Sequence, residues 1–310
     1  MTREIGGILV ANVTPFTESL TIDEDALRKH IRYLASVDGL GGIVCNGHAG
    51  EGAVLTREER KLCMQIAKEE IKGRCLFTSC IEAATPEEAI ELTRDCYEMG
   101  VDAVMVCPPI IYAWNASTSI EFALDFFKAI GKAVDVPLIL FQYPAPLPQC
   151  YSTDGLVKLC REVDNIVAIK NPTGGNVKRY ERDVRAIREL PRKIAMLPTS
   201  NLLTHFIVGA DGALSGFGNF AAETLVEMFS AVQRGDLSTA KKAHDRTWKL
   251  HDVVYGEPPV YLHTRYKYAA YLAGRIDNPA VRRPQLPVLP NDRERITEGL
   301  REAGLLARNP

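Results

Sequence analysis

Residues 166–170 read Ile-Val-Ala-Ile-Lys, and residues 171–175 follow as Asn-Pro-Thr-Gly-Gly. A five-residue run rich in β-branched residues and bounded by turn residues predicts a buried parallel strand. Lys170 closes this run and is therefore expected at the rim of a hydrophobic core. Loss of water there disfavours the ammonium form and can lower a lysine pKa by several units from about 10.4. A neutral amine attacks carbonyl carbons, so Lys170 is a candidate Schiff-base nucleophile. The alternative is a lysine that turns to solvent where a strand ends.

Seven further apolar runs are bounded by similar turn residues, and an amphipathic helical pattern separates most neighbours. They cover residues 8–11, 42–46, 75–80, 103–107, 138–142, 194–197 and 212–215. Eight strands in β-α alternation predict an α/β fold, a parallel (β/α)8 TIM barrel, and 310 residues are enough for one. A doubly wound sheet is disfavoured because no Gly-x-Gly-x-x-Gly follows the first strand.

The strand signal stops after Gly218, and helical periodicity continues to the end of the chain. Residues 221–234, 237–254, 259–274 and 292–304 have this period, with an extended linker marked by Pro284, Pro287 and Pro290. The sequence therefore predicts a barrel over residues 1–222 and a C-terminal helical domain over residues 223–310.

The composition narrows the classes of partner. A net charge of −2 gives no electrostatic footprint for nucleic acid or for a membrane surface. No apolar run approaches the roughly 18 residues of a membrane span, and the first seven residues lack a signal-peptide core. The eight cysteines are scattered without a Cys-x-x-Cys pair, which favours reduced thiols over a disulfide framework. We expect a cytoplasmic protein that binds a small molecule.

The chemistry of such barrels lies on the loops at the carboxyl ends of the strands. This rule selects candidate residues after the successive strands: Gly47, His48, Ala49, Gly50 and Glu51 after the second, Glu82 after the third, Tyr112 after the fourth, Tyr143 after the fifth, Lys170 on the sixth, and Ser215 and Gly216 after the eighth.

The loop at residues 46–52 has three glycines, so its N–H groups can converge on one anion, such as a carboxylate. The alternative is a tight turn without a ligand. His48 can donate a hydrogen bond or shuttle a proton near neutral pH. Tyr143 can carry a proton, or its ring can line the site, and lining is the favoured role of Tyr112. A metal-dependent aldolase would need converging ligands, and His48, Glu51 and Glu82 make a poor set. We therefore predict no metal.

Motifs along nearly the whole chain match one known pattern in order. They are Val13-Thr14-Pro15-Phe16, Gly47-His48-Ala49-Gly50-Glu51 with Leu55-Thr56, Pro108-Pro109, Gln142-Tyr143-Pro144, Ile169-Lys170-Asn171 and Arg283-Pro284-Gln285-Leu286-Pro287. The chain thus resembles the N-acetylneuraminate lyase and dihydrodipicolinate synthase superfamily of Schiff-base class I lyases. The resemblance implies catalysis through an imine at Lys170, no metal or organic cofactor, and a homotetramer arranged as a dimer of dimers.

The departures from this pattern concern the site. His48 and Ala49 replace the two hydroxyl residues that grip the substrate carboxylate in the family, which leaves the amides around Gly47 and Gly50 for that task. Phe141 stands at the family's relay tyrosine, and Tyr143 is the nearest phenol on the same strand face.

The family's tandem tyrosines are Ile110 and Ile111 here, and the arginine of dihydrodipicolinate synthases is replaced within Ala145-Pro146-Leu147. These changes argue against dihydrodipicolinate synthase itself. Together with Phe141, the two isoleucines suggest a less polar pocket, suited to a hydrophobic aldehyde portion.

The predicted function is a Schiff-base lyase acting on a 2-oxo acid, such as pyruvate or a pyruvate aldol adduct. Lys170, Tyr143 and His48 are the predicted catalytic residues; Gly47, Ala49, Gly50, Phe141, Tyr112, Ser215 and Gly216 are the predicted substrate-binding residues. Dehydration, hydratase-aldolase chemistry or a dihydrodipicolinate synthase-like condensation could use the same lysine. A homologue that binds ligand without catalysis and a metal-dependent aldolase are the alternatives from other classes.

Overall fold

The computed structural model describes residues 4–114, 119–145 and 147–308. Within these residues eight strands form one parallel sheet in the order β7-β6-β5-β4-β3-β2-β1-β8. The strands are β1 (Gly7–Ala11), β2 (Leu40–Cys45), β3 (Leu76–Ile81), β4 (Ala103–Val106), β5 (Leu138–Phe141), β6 (Ile166–Lys170), β7 (Ala195–Leu197) and β8 (Gly212–Ser215). They make a nearly closed barrel, which confirms the predicted (β/α)8 TIM fold.

Helices follow the strands and continue beyond the last one. The described residues contain α1 (Glu24–Ser36), α2 (Arg57–Ile71), α3 (Pro86–Met99), α4 (Ile120–Ala133), α5 (Thr153–Glu162), α6 (Val177–Arg188), α7 (Leu202–Ile207), α8 (Gly218–Gln233), α9 (Leu237–Val254), α10 (Leu262–Leu272) and α11 (Pro290–Glu302). The last helices confirm the C-terminal extension. The domain boundary at residue 222 stays a prediction.

The chain divides into two compact units. The first unit comprises residues 4–7 and Leu76–Leu214, and the second comprises Ile8–Cys75 and residues 215–308. In the first unit, β3 to β7 pair in parallel, and the register places Lys170 of β6 opposite Phe141 of β5 and Leu197 of β7. Their side chains are almost all buried, as expected for strands covered on both faces.

Asn219 holds several parts of the second unit together. Its side-chain oxygen accepts hydrogen bonds from Val13 N (2.9 Å) and from Nε2 of His30 (2.7 Å), and its amide nitrogen donates to Ala11 O (2.8 Å) and Gly216 O (2.7 Å). Burial lowers the pKa of His30 to about 4. The imidazole is therefore neutral at pH 7 and serves as a donor inside the core.

All eight cysteines are buried free thiols, as the sequence predicts. No helix within the described residues combines the length and apolar character that a membrane crossing requires. A cavity of about 280 Å³ lies at the amino ends of strands of the first unit, where Asp102, Pro137, Lys193 and Ala195 line it. In (β/α)8 barrels this end serves stability, and the carboxyl ends carry the chemistry.

Candidate active site

Lys170 ends β6 with its side chain in the interior, since only 8% of its surface is exposed. The main chain continues to pair around it: Gln142 N donates to Lys170 O (2.9 Å), and Asn171 N donates to Leu197 O (2.8 Å). The strand end is thus held on both sides. The alternative of a solvent-facing lysine is excluded by this burial.

Asp183 of α6 fixes the residue that follows the lysine. Its buried carboxylate accepts hydrogen bonds from Asn171 Nδ2 (3.0 Å), Thr153 Oγ1 (2.7 Å) and Arg179 Nε (2.8 Å). Arg179 also donates to Tyr151 O at 2.7 Å. This network compensates the buried charge and anchors the end of β6 to the helices behind it.

The surroundings of the Lys170 amine are mainly apolar. Its Nζ lies 4.3 Å from the ring centroid of Phe141, which is itself buried. Burial lowers the pKa of Lys170, and negative charge on Cys107, Cys80 or Glu82 would oppose this change. A hydrogen bond with Cys80, together with burial, raises the pKa of Cys107 well above its usual value, so this thiol is neutral at pH 7. Desolvation therefore dominates and favours the nucleophilic amine.

Tyr143 packs against Phe141 with a ring-centroid distance of 4.8 Å and is half-buried. Burial raises the pKa of its phenol above the usual value, and nearby Cys107 and Glu82 act in the same direction. The phenol therefore keeps its proton near neutral pH and can donate a hydrogen bond. It is a poor base there.

Tyr112 is buried beside α4. Its hydroxyl donates to Phe122 O at 2.8 Å, and its ring meets Phe126 edge to face at 6.4 Å. These contacts pack the ring against α4, and the predicted contact of Tyr112 with substrate stays a prediction. Ile110 and Ile111, by contrast, expose 74% and 64% of their surface. Their side chains are therefore not part of the buried core, and the apolar pocket that they suggested with Phe141 stays a prediction.

In the second unit, the loop after β2 is as tightly folded as its glycines suggest. Residues His48–Gly50 form a 3-10 turn, and Asn46 and Glu51 adopt left-handed φ angles of 59° and 57°. A Cβ on Gly52 would lie 2.0 Å from Asn46 O, so only glycine fits there. Gly47, Ala49 and Gly50 are buried, and His48 is half-buried. The His48 ring centroid lies 5.7 Å from that of His263 on α10.

Glu51 uses both carboxylate oxygens within the second unit. Oε1 accepts from Lys267 Nζ (2.6 Å), and Oε2 accepts from Arg282 N (2.9 Å). Both oxygens are bound by protein donors, so the carboxylate has a structural role. Glu51 is therefore not available as a metal ligand in this structure.

Ser215 and Gly216, also in the second unit, contact tyrosines of the C-terminal helical region. Ser215 Oγ lies 2.8 Å from Tyr255 Oη and accepts from Phe217 N at 3.2 Å. A Cβ on Gly216 would lie 2.5 Å from the Tyr266 ring, which explains the glycine. Their predicted contact with substrate stays a prediction.

The structure thus places Lys170, Phe141 and Tyr143 together in the first unit, at the carboxyl ends of β5 and β6. Cys80 and Cys107 join them, with a distance of 3.6 Å between the two Sγ atoms. Sequence reasoning did not select these cysteines as site residues. Strand alternation could have found Cys80, because it lies two residues before Glu82 and therefore on the same strand face.

Comparison with known proteins gives the family. The model of the dihydrodipicolinate synthetase family matches residues 4–303. The chain belongs to this family. The resemblance drawn from the motifs is confirmed, and the chain is therefore an enzyme of lyase type.

Relatives match along nearly their whole length. The 4-hydroxy-tetrahydrodipicolinate synthase of Rhodopseudomonas palustris is 32% identical over 301 residues, covering 97% of both chains. The enzyme of the same name from Methanopyrus kandleri is 30% identical, covering 98% of both.

A solved structure agrees with these sequence matches. It is the chloride-inhibited dihydrodipicolinate synthase from Acinetobacter baumannii in complex with pyruvate, with a TM-score of 0.87 and 28% identity. The match covers 97% of this chain and 100% of that one.

Proposed function

We propose that the protein is a Schiff-base-forming lyase that acts on a 2-oxo acid, such as pyruvate or a pyruvate aldol adduct, with Lys170 as the nucleophile. The burial of the Lys170 amine against Phe141 at the end of β6 carries this proposal. Family membership and the pyruvate bound in the Acinetobacter baumannii relative support it.

The neutral amine of Lys170 attacks the C2 ketone, and loss of water gives an iminium ion. This cation accepts the electron pair of the C3–C4 bond when the bond breaks, so an enamine forms and an aldehyde leaves. Loss of a C3 proton instead would lead to elimination of a C4 hydroxyl. Cleavage, dehydration and the reverse condensation share the lysine, and the departures at Ala49, Phe141 and Ala145 disfavour dihydrodipicolinate synthase as the activity.

The other roles follow from the sequence. We infer that the amides of Gly47, Ala49 and Gly50 bind the substrate carboxylate, with His48 as an additional donor. Tyr143, held protonated by its surroundings, is proposed to donate a hydrogen bond to the substrate.

The family resemblance further predicts a homotetramer without a metal or organic cofactor. The reduced, buried cysteines favour the cytoplasm.

Reduction of the imine tests this proposal. The protein is mixed with pyruvate and borohydride, and its intact mass is then measured. We expect a covalent adduct on the wild type and on Lys158→Ala, a matched variant of an exposed lysine, and none on Lys170→Ala. An adduct that persists on Lys170→Ala would show that another amine is the nucleophile.

Two further outcomes separate the other classes of function. Failure of the wild type to form an adduct with any 2-oxo acid would favour a non-catalytic binding protein. A loss of activity in chelator would favour the metal-dependent aldolase.

A further inference from the structure

Breaking the C3–C4 bond requires a base for the C4 hydroxyl proton and an acid that returns a proton to C3. Phe141 stands where the family has its relay tyrosine and has no proton to move. Tyr143 keeps its phenolic proton, because burial raises its pKa. Phe141 cannot accept a proton, and the raised pKa of Tyr143 makes its phenolate scarce near neutral pH, so a carboxylate in the same unit is a better candidate for the base than either residue.

Glu82 stands one residue beyond the end of β3. Cys107 N donates to Ile81 O at 3.1 Å, so the pairing of β3 with β4 reaches the residue before Glu82. Side chains two residues apart lie on one face of a strand, so Glu82 shares a face with Cys80. The Sγ atoms of Cys80 and Cys107 are 3.6 Å apart. Glu82 is thus placed above this thiol pair, at the carboxyl end of the strands.

Two observations connect the Glu82 carboxylate with the residues around Lys170. One of its oxygens lies within 4.8 Å of Cys107 Sγ. Its charge also acts on Lys170, where it opposes the lowering of the pKa by burial, and on Tyr143, where it adds to the rise of the pKa that burial causes. Glu82 is half-buried, so its charge is only partly screened by water.

We propose that Glu82 is the catalytic base and acid of the lyase reaction, in place of the family's relay tyrosine. This assignment rests on the proposed imine at Lys170. The Glu82 carboxylate takes the proton of the C4 hydroxyl, the C3–C4 electron pair moves to the iminium to give the enamine, and an aldehyde departs. Glu82 then gives this proton to C3, which restores the iminium of pyruvate, and water releases pyruvate from Lys170.

The carboxylate also compensates the positive charge that arises on the imine nitrogen. In a site of low dielectric such a charge needs a counter-charge, and Glu82 is already present before the substrate binds. Glu82 therefore favours the iminium over the neutral imine, which makes the electron sink stronger.

Exchange of the pyruvate methyl protons for solvent deuterium tests the proposal, because this exchange reports the enamine and needs no aldol substrate. Proton NMR measures the exchange, and borohydride trapping measures the imine in the same samples. We expect Glu82→Gln to form the adduct and to exchange about 10²-fold or more slowly than the wild type. Glu82→Asp keeps a carboxylate and should exchange at an intermediate rate.

Glu88→Gln is the matched control, since Glu88 lies in the same loop and helix start, where its side chain accepts from Ala84 N at 2.8 Å. We expect it to exchange like the wild type. Thermal unfolding of each variant checks that it is folded. If Glu82→Gln does not fold, Glu82→Asp tests the role of Glu82 in proton transfer.

Two results would overturn the proposal. The first is exchange at the wild-type rate by Glu82→Gln, and slow exchange by Tyr143→Phe or His48→Gln in the same series would then assign the proton transfer to that residue. Loss of both adduct and exchange in a folded Glu82→Gln would assign Glu82 to imine formation instead. If the proposed Schiff-base function were wrong, the wild type itself would form no adduct, and this result is distinct from the ones that concern Glu82.

Discussion

Lys170 shows how one residue acquires reactivity from its position. The strand sequence predicts burial, and desolvation then lowers its pKa because an ammonium ion is costly beside Phe141. Asn171 and Asp183 hold the backbone behind it, so the amine is presented at a defined place. The reactivity is therefore a property of the environment, while the side chain alone is an ordinary amine.

A pH dependence follows from this lowered pKa. The amine is neutral above its pKa, so the initial rate of adduct formation with pyruvate should rise with pH to a midpoint below 10.4, the usual lysine value. Rapid borohydride trapping from neutral pH upward measures this midpoint. Lys158 is the internal reference, because its hydrogen bond to Glu121 raises its pKa. The rate at which an acylating reagent modifies Lys158 should therefore reach its midpoint at a higher pH than the rate of adduct formation at Lys170. Equal midpoints for the two lysines would contradict the prediction.

At the scale of elements, α2 begins at a capping box that also binds the C-terminal part of the chain. Thr56 Oγ1 accepts from Glu59 N, and the Glu59 carboxylate accepts from Thr56 N. The same carboxylate binds both terminal nitrogens of Arg282, at 2.8 and 2.6 Å. Chiefly through Arg282, the pKa of Glu59 is lowered to about 2.

We expect Glu59→Gln to lower the free energy of unfolding by about 1–2 kcal/mol at pH 7, since it weakens a cap and a bidentate ion pair. A lowered carboxylate pKa stabilises the fold above the unfolded value near 4.3, and this contribution is lost as the pH falls toward 2. The difference in the free energy of unfolding between the wild type and Glu59→Gln should therefore become smaller below about pH 4.3.

Urea unfolding at several pH values measures this difference. Glu58→Gln, in the same helical turn, is the control and should change stability little. A difference between wild type and Glu59→Gln that stays constant down to pH 2 would be inconsistent with the ion pair as its cause.

At the scale of the molecule, a buried ion pair joins residues that are 216 positions apart in the sequence. Lys267 of α10 and Glu51 of the loop after β2 are each almost fully buried, and the lysine Nζ also lies 3.9 Å from the Phe16 ring centroid. Burial lowers the pKa of Lys267 to about 8, although Glu51 opposes this change. The contact makes the helical extension part of the same fold as that loop.

Glu51→Gln should lower the free energy of unfolding by about 3–5 kcal/mol, because it leaves a buried lysine without its counter-charge. The double variant Glu51→Leu with Lys267→Met removes both charges and should recover much of this loss. Glu181→Gln, in the exposed pair with Arg185, is the control and should cost less than about 1 kcal/mol. Urea unfolding measures all three, and a stable Glu51→Gln variant would refute the prediction.

The sequence by itself determined the alternation of strands and helices, because apolar periodicity and helix caps are local properties. It also determined the family and the position of Lys170 at the end of β6. The residues that surround the Lys170 amine and set its pKa were not determined in this way, because they come from strands that are far apart in the chain.

Only the tertiary structure placed Glu82, Cys80 and Cys107 near Lys170 and paired Glu51 with Lys267. It also showed that Ile110 and Ile111 are largely exposed. These results depend on strand register and on packing between distant segments, and no short segment of the sequence determines either.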